Sequence, residues 1–115
     1  MPFDFEKLEV YKKAVNFANE IYNLTKSFPK DEQFGIVSQL RRAAVSISLN
    51  IAEGSGRSKK EFKYYITMSR TSVQECIPLL EISFSQNHIN KEEKCKYYSR
   101  CEELSKMLCG LINSL

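Results

Sequence analysis

The segment from Asp31 to Gly54 constrains this chain more than any other. Set on a helical wheel at about 100° per residue, Ile36, Val37, Leu40, Ala44, Ile47 and Ile51 make one apolar stripe, and Phe34, Val45, Leu49 and Ala52 make a second on another arc. What stays polar is a narrow edge of Gln39, Arg42, Ser46, Asn50 and Glu53. A helix apolar over most of its circumference sits at the centre of a large protein or is covered by a partner. With 115 residues the chain is one domain, spanning residues 1–115, and too small to bury such a helix alone. The expectation is a homo-oligomer, with Phe34, Val45, Leu49 and Ala52 at the contact between copies and Asn50 and Glu53 beside them.

The rest of the chain reads as three more helices with short breaks between them. The first is predicted from Asp4, as N-cap, to near Lys26, with Phe3 and Leu8 placed for a hydrophobic staple. The second is predicted to begin between Pro29 and Asp31, where Asp31 and Glu32 suit a helix N-terminus, and to end at Gly54-Ser55-Gly56. Ser58-Lys59-Lys60-Glu61 has the form of a capping box and opens the third, whose Pro78 is expected to kink it around residues 74–78. Asn90-Lys91-Glu92-Glu93 repeats the capping form and opens the fourth, with Tyr97, Cys101, Leu104, Leu108, Leu111, Ile112 and Leu115 along one side. Only three Pro and four Gly in the whole chain argue against an all-β fold. Short connections force sequential antiparallel neighbours, so the predicted architecture is all-α, an up-down-up-down antiparallel four-helix bundle with helices of roughly 20 to 30 residues.

Charge is distributed unevenly. The formal net charge is +3, yet residues 41–70 hold seven basic side chains (Arg41, Arg42, Arg57, Lys59, Lys60, Lys63 and Arg70) against Glu53 and Glu61 alone. Each flank holds five basic and six acidic side chains. Such a local field bears on partners rather than on fold, and seven cations on two helices that meet at one loop fit a stripe following a phosphate backbone. Two readings stay open at three places. Gly54 to Lys60 is either a helix end followed by a helix start, or a backbone cradle for a phosphate. Arg42 either contacts phosphate or pairs with Glu53 or Asn50, within one chain or across an interface. Tyr64 and Tyr65 either stack on bases or pack in the core.

Catalysis has little to work with. His88 is the only histidine, lies in a predicted turn, and has no nucleophile motif beside it, so no catalytic residue, cofactor site, metal site or small-molecule substrate is expected. Cys76, Cys95, Cys101 and Cys109 follow no metal or disulfide spacing and are expected to be buried free thiols of a reducing cytoplasm. The N-terminus lacks the apolar stretch of a signal peptide and no run approaches the ~18 apolar residues of a membrane span, so a cytoplasmic protein without a membrane partner is expected.

A block of residues carries a family resemblance. Phe5-Glu6-Lys7-Leu8-Glu9-Val10-Tyr11, Ile21-Tyr22, Phe28-Pro29, Gln39-Leu40-Arg41-Arg42-Ala43-Ala44-Val45-Ser46-Ile47, Asn50-Ile51-Ala52-Glu53-Gly54 and Gly56-Arg57 resemble the four-helix-bundle proteins encoded in intervening sequences of bacterial 23S rRNA genes. The wider group includes the accessory variability determinant of diversity-generating retroelements. The resemblance implies a homopentamer without enzyme activity, with a positive surface for nucleic acid; for the seven basic side chains the leading expectation is structured RNA or an RNA-containing complex, held through phosphate contacts. Ser48-Leu49 stands where that family commonly has Pro-Ala, and Thr71-Ser72 where it commonly has Gly-Ser. The competing expectation is a protein-interaction scaffold whose arginines are structural.

Overall fold

The computed structural model describes residues 4–115 and contains four α-helices: α1 Glu9–Thr25, α2 Ile36–Gly54, α3 Lys59–Ser85 and α4 Lys91–Ser114. They pack as an antiparallel bundle measuring 43 × 22 × 22 Å, the long dimension being that of the 27-residue α3. The principal α2 stripe is buried as the wheel requires, with Leu40, Ala44, Ile47 and Ile51 at 0% exposure. Around it pack Phe17 and Ile21 of α1, Ile66, Val73 and Leu80 of α3, and Leu104 and Leu108 of α4. Of the neighbouring pairs, α2 meets α3 most extensively, α3 meets α4 next, and α1 touches α4 least.

The close α2/α3 approach is built from small residues. A Cβ at Gly54 would lie 2.6 Å from the Cβ of Tyr65 and 3.0 Å from Cδ1 of Phe62, so only glycine fits there. About one turn beyond Tyr65 along α3, the buried Ser69 donates its hydroxyl to the Ile47 carbonyl at 2.7 Å, tying the two helices in register. The three residues of the connection divide the work. Gly54 ends α2 by allowing contact, whereas Gly56, at φ +83°, supplies the left-handed conformation just beyond the helix end.

Both predicted capped starts are present. Ser58 Oγ accepts from the Glu61 N–H at 3.2 Å, and at α4 the box is complete, with Asn90 Oδ1 accepting from the Glu93 N–H at 2.8 Å and Glu93 Oε1 accepting from the Asn90 N–H at 2.9 Å. The other two starts differ from expectation. Asp4–Lys7 forms a separate 3-10 turn and α1 begins only at Glu9, after an extended Leu8 that offers no side-chain cap. The staple partner Phe3 lies outside the described residues. Between Pro29 and Gly35 the chain makes another 3-10 turn, Lys30–Glu32, so α2 starts at Ile36. Here tertiary contact overrides local propensity: Phe28 is buried beside the His88 ring at 5.1 Å, and Glu32 Oε2 sits 3.0 Å from His88 Nε2. The loop is thereby anchored to the α3–α4 turn.

Pro78 does not interrupt α3, which is continuous to Ser85. Pro78 and Gln74 both lie on the exposed side of α3, so the missing hydrogen bond falls outside the core. α2 likewise runs through Ser48-Leu49 without a break, and Thr71 points outward, bonding the Thr67 carbonyl at 3.1 Å. The buried-thiol expectation holds for Cys76 and Cys101 and fails for Cys95, which is exposed on the solvent side of α4, and for the half-buried Cys109. The Cys101 contact, together with burial, pushes the Cys76 thiol pKa well up and keeps it protonated. Among the described residues no helix is long and apolar enough to cross a membrane.

Candidate functional site

Seven cations were expected on one basic stripe, and their side chains divide into two groups. Arg41, Arg57 and Arg70 are engaged within the chain. Arg41 Nε donates to Thr25 Oγ1 at 2.9 Å and Nη2 to the Tyr22 carbonyl at 3.4 Å, while its guanidinium lies 4.5 Å from the Tyr22 ring centroid. It therefore caps the C-terminus of α1 and fastens it to α2. Arg70 is half-buried and donates to Ser105 Oγ at 3.4 Å, bridging α3 and α4.

Arg57 holds both acids of the basic segment. Its Nη2 lies 2.9 Å from Glu53 Oε1, its Nη1 3.5 Å from Glu61 Oε2, and its Nε donates to the Glu53 carbonyl at 2.8 Å. The guanidinium also rests 5.1 Å from the Tyr65 ring centroid. The Glu53 hydrogen bond is the main cause that raises the Arg57 pKa above its ordinary value, with Tyr65 and Glu61 adding to it. Within one chain Glu53 is thus not the partner of Arg42, and Asn50 donates to the Ser46 carbonyl at 2.8 Å instead.

Lys59, Lys60, Lys63 and Arg42 make up the second group. All four are exposed, and among the described residues their side chains have no hydrogen-bond or ion-pair partner. The three lysines occupy the first and second turns of α3, immediately after the Gly54 to Ser58 connection. Beside them Tyr64 is 60% exposed, which removes it from the core where such tyrosines more often pack, while Tyr65 is half-buried against Gly54. Arg42 stands apart, about 18 Å along α2 from the Gly54 end at the ~1.5 Å rise of a helix. It edges a shallow groove between α1 and α2 whose wall includes Tyr22, Phe34 and Val45. The basic stripe is therefore a compact lysine cluster and one separate arginine.

The expected contact residues lie on the outside of the bundle. Phe34, in the turn just before α2, is 96% exposed and Leu49 60%, while Val45, which packs against the core, and Ala52 are half-buried, so this arc is only partly covered by the described residues. The sequence reading missed the pairing of Glu53 and Glu61 with Arg57; the four-residue spacing on either side of Arg57 was the available signal.

Among the described residues no group of His, Cys, Asp and Glu is gathered to hold a metal ion. No functionally curated protein matches the chain. The chain is similar in structure to a protein of unknown function from the S23 ribosomal protein family of Bacteroides thetaiotaomicron VPI-5482, known from a crystal structure. The TM-score is 0.83 at 25% sequence identity, over 90% of this chain and 95% of that one. The family model of the 23S rRNA-intervening sequence protein matches residues 6–110, which takes in α1 to α3, most of α4, the Gly54 to Ser58 connection and the lysine cluster. The chain belongs to the 23S rRNA-intervening sequence protein family.

Proposed function

We propose that this is a non-enzymatic, oligomeric cytoplasmic protein that holds structured RNA by its phosphates through Lys59, Lys60 and Lys63. One observation carries the reading: Arg57 draws Glu53 and Glu61 to itself, so Lys59, Lys60 and Lys63 have no ion-pair partner among the described residues, and the four cations and two acids of this corner leave a net charge of +2. Cations in the first turn oppose the helix macrodipole and cost about 0.3–1 kcal/mol each, an arrangement that a fold has no reason to keep. A phosphate reverses that sign, because the free N–H groups of the helix start and the lysines attract it together. Such binding is sensitive to salt and nearly indifferent to sequence. A mobility-shift titration with a stem-loop RNA at ~50 mM salt tests it; absence of a complex there, or a complex unchanged when the three lysines become Gln, refutes it.

The second arc of α2 supports assembly, with Phe34, Val45, Leu49 and Ala52 covered by another copy; the pentamer implied by the family resemblance is the arrangement proposed. A competing reading, a protein-interaction scaffold, draws on Arg42, whose side chain has no partner within one chain beside an exposed Phe34. Under that reading Arg42 pairs across the interface and Arg42→Ala dissociates the oligomer in sedimentation. Under the leading reading the oligomer persists.

A further inference from the structure

We infer that the lysine cluster takes an unpaired stretch of the RNA, with one base stacked on Tyr64; the inference rests on the phosphate-binding reading above and names the form of nucleic acid that the site accepts. Tyr64 is 60% exposed, an unusual position for a ring that gains from burial, and among the described residues the lysines around it have no ion-pair partner, the neighbouring Glu61 being paired with Arg57. Lys60 precedes it by one helical turn and Met68, 39% exposed, follows by one turn, so Lys60, Tyr64 and Met68 form a single stripe with Lys63 at its border.

The ring is braced from behind. Tyr64 meets Tyr65 edge to face at 5.4 Å and 82°, Tyr65 lies under the Arg57 guanidinium, and Tyr65 is itself pressed on Gly54 at the tightest contact between α2 and α3. A stacking platform needs this combination: a ring fixed along one side, open on the other, and cations within one turn to hold the flanking phosphates. Stacking between successive pairs covers the faces of bases inside a duplex, so a tyrosine among phosphate-binding lysines adds affinity only where bases are unstacked, as in loops, bulges and single strands. Lysines alone would hold duplex and single strand alike. Tyr64 is what separates the two.

The test is a fluorescence titration at ~50 mM salt of two probes of one sequence, a 12-nucleotide single-stranded RNA carrying 2-aminopurine and the same strand in a blunt duplex, with sedimentation of each protein variant alongside. The wild-type chain is expected to bind the single strand more tightly and to quench its 2-aminopurine. Tyr64→Ala should weaken single-strand binding by about fivefold or more, leave the duplex unaffected and abolish the quench, while Tyr64→Phe retains all three properties. Equal affinity of the wild-type chain for both probes overturns the inference, as does a Tyr64→Ala variant that binds the single strand normally. A change in oligomer size in Tyr64→Ala also overturns it, because the ring then serves an interface between copies. If Lys59, Lys60 and Lys63 changed to Gln abolish binding while Tyr64→Ala is silent, the phosphate-binding function stands and the stacking inference falls. If the wild-type chain binds neither probe, both fall.

Discussion

The α2–α3 corner and the α1–α4 seam carry similar numbers of charged side chains and treat them in opposite ways. In the seam, Glu20 accepts both Nε and Nη2 of Arg100 at 3.1 and 3.4 Å and lies 3.7 Å from Lys96, while Lys13 pairs with Glu103 at 3.4 Å. The helices there are the neighbouring pair least in contact, and a groove of about 520 Å³ floored by Phe17 and Leu104 opens between them. The ion pairs span the seam, and Lys13, Lys96 and Arg100 each have an acidic partner there. At the corner one arginine gathers two carboxylates and three lysines are left over. What distinguishes the two regions is partnership, not charge count: the seam closes the bundle, and the corner leaves a field directed outward.

Four substitutions sharpen that comparison. The largest effect is expected at Gly54, the packing on which the corner is built. Gly54→Ala places a Cβ within 2.6 Å of Tyr65 Cβ, and α2 and α3 must separate to admit it. A loss of about 1–3 kcal/mol is expected in urea unfolding, despite the better helix propensity of alanine. Gly110, on the exposed side of α4 with open space around it, is the control, where alanine should stabilise by about 0.4–1 kcal/mol. Equal effects at the two sites would mean that the corner is not tightly packed.

Replacing Lys59, Lys60 and Lys63 by Gln should leave unfolding almost unchanged, or slightly improve it by relieving the dipole conflict, while RNA affinity collapses. The slope of log affinity against log salt should become shallower by about 2 to 3, near 0.7–0.9 for each lost phosphate contact. An unchanged slope would place the binding surface elsewhere. A smaller loss of affinity is expected from Arg57→Ala, although Arg57 need not touch RNA, because Glu53 and Glu61 are then released to neutralise the lysines. Adding Glu53→Gln and Glu61→Gln to that variant should restore binding. Failure of the restoration would make Arg57 a direct contact. The smallest effect belongs to the seam: Arg100→Ala removes an exposed pair, should cost less than about 1 kcal/mol in thermal or urea unfolding, and should leave RNA binding untouched. Loss of binding in that variant would erase the contrast between the regions.

How far the chain could be read beforehand depended on the range of the interactions concerned. The starts of α3 and α4 were legible because Ser58 and Asn90 reach only three residues, to Glu61 and Glu93. The start of α2 was not, since the residues that hold the Pro29 to Gly35 stretch in a 3-10 turn include His88, far along the chain. Pro78 did not end the helix for the same reason: its cost depends on which side of α3 it occupies, and it lies on the exposed side. The lysine cluster is contiguous and could be seen at once. The roles of the arginines could not, because Arg41 is assigned by Thr25 and Tyr22 on another helix and Arg70 by Ser105 on a third.

By itself the sequence determined an all-α chain, a buried α2 stripe, a second apolar arc on that helix and a concentration of positive charge between residues 41 and 70. Periodicity, capping and charge are properties of neighbours along the chain, and neighbours suffice to specify them. Only the tertiary structure decided which cations are free, that Tyr64 is outside the core, and that Gly54 is there for contact while Gly56 is there for its backbone angle. Those outcomes depend on which groups of different helices come within hydrogen-bonding or van der Waals reach, and packing alone sets that.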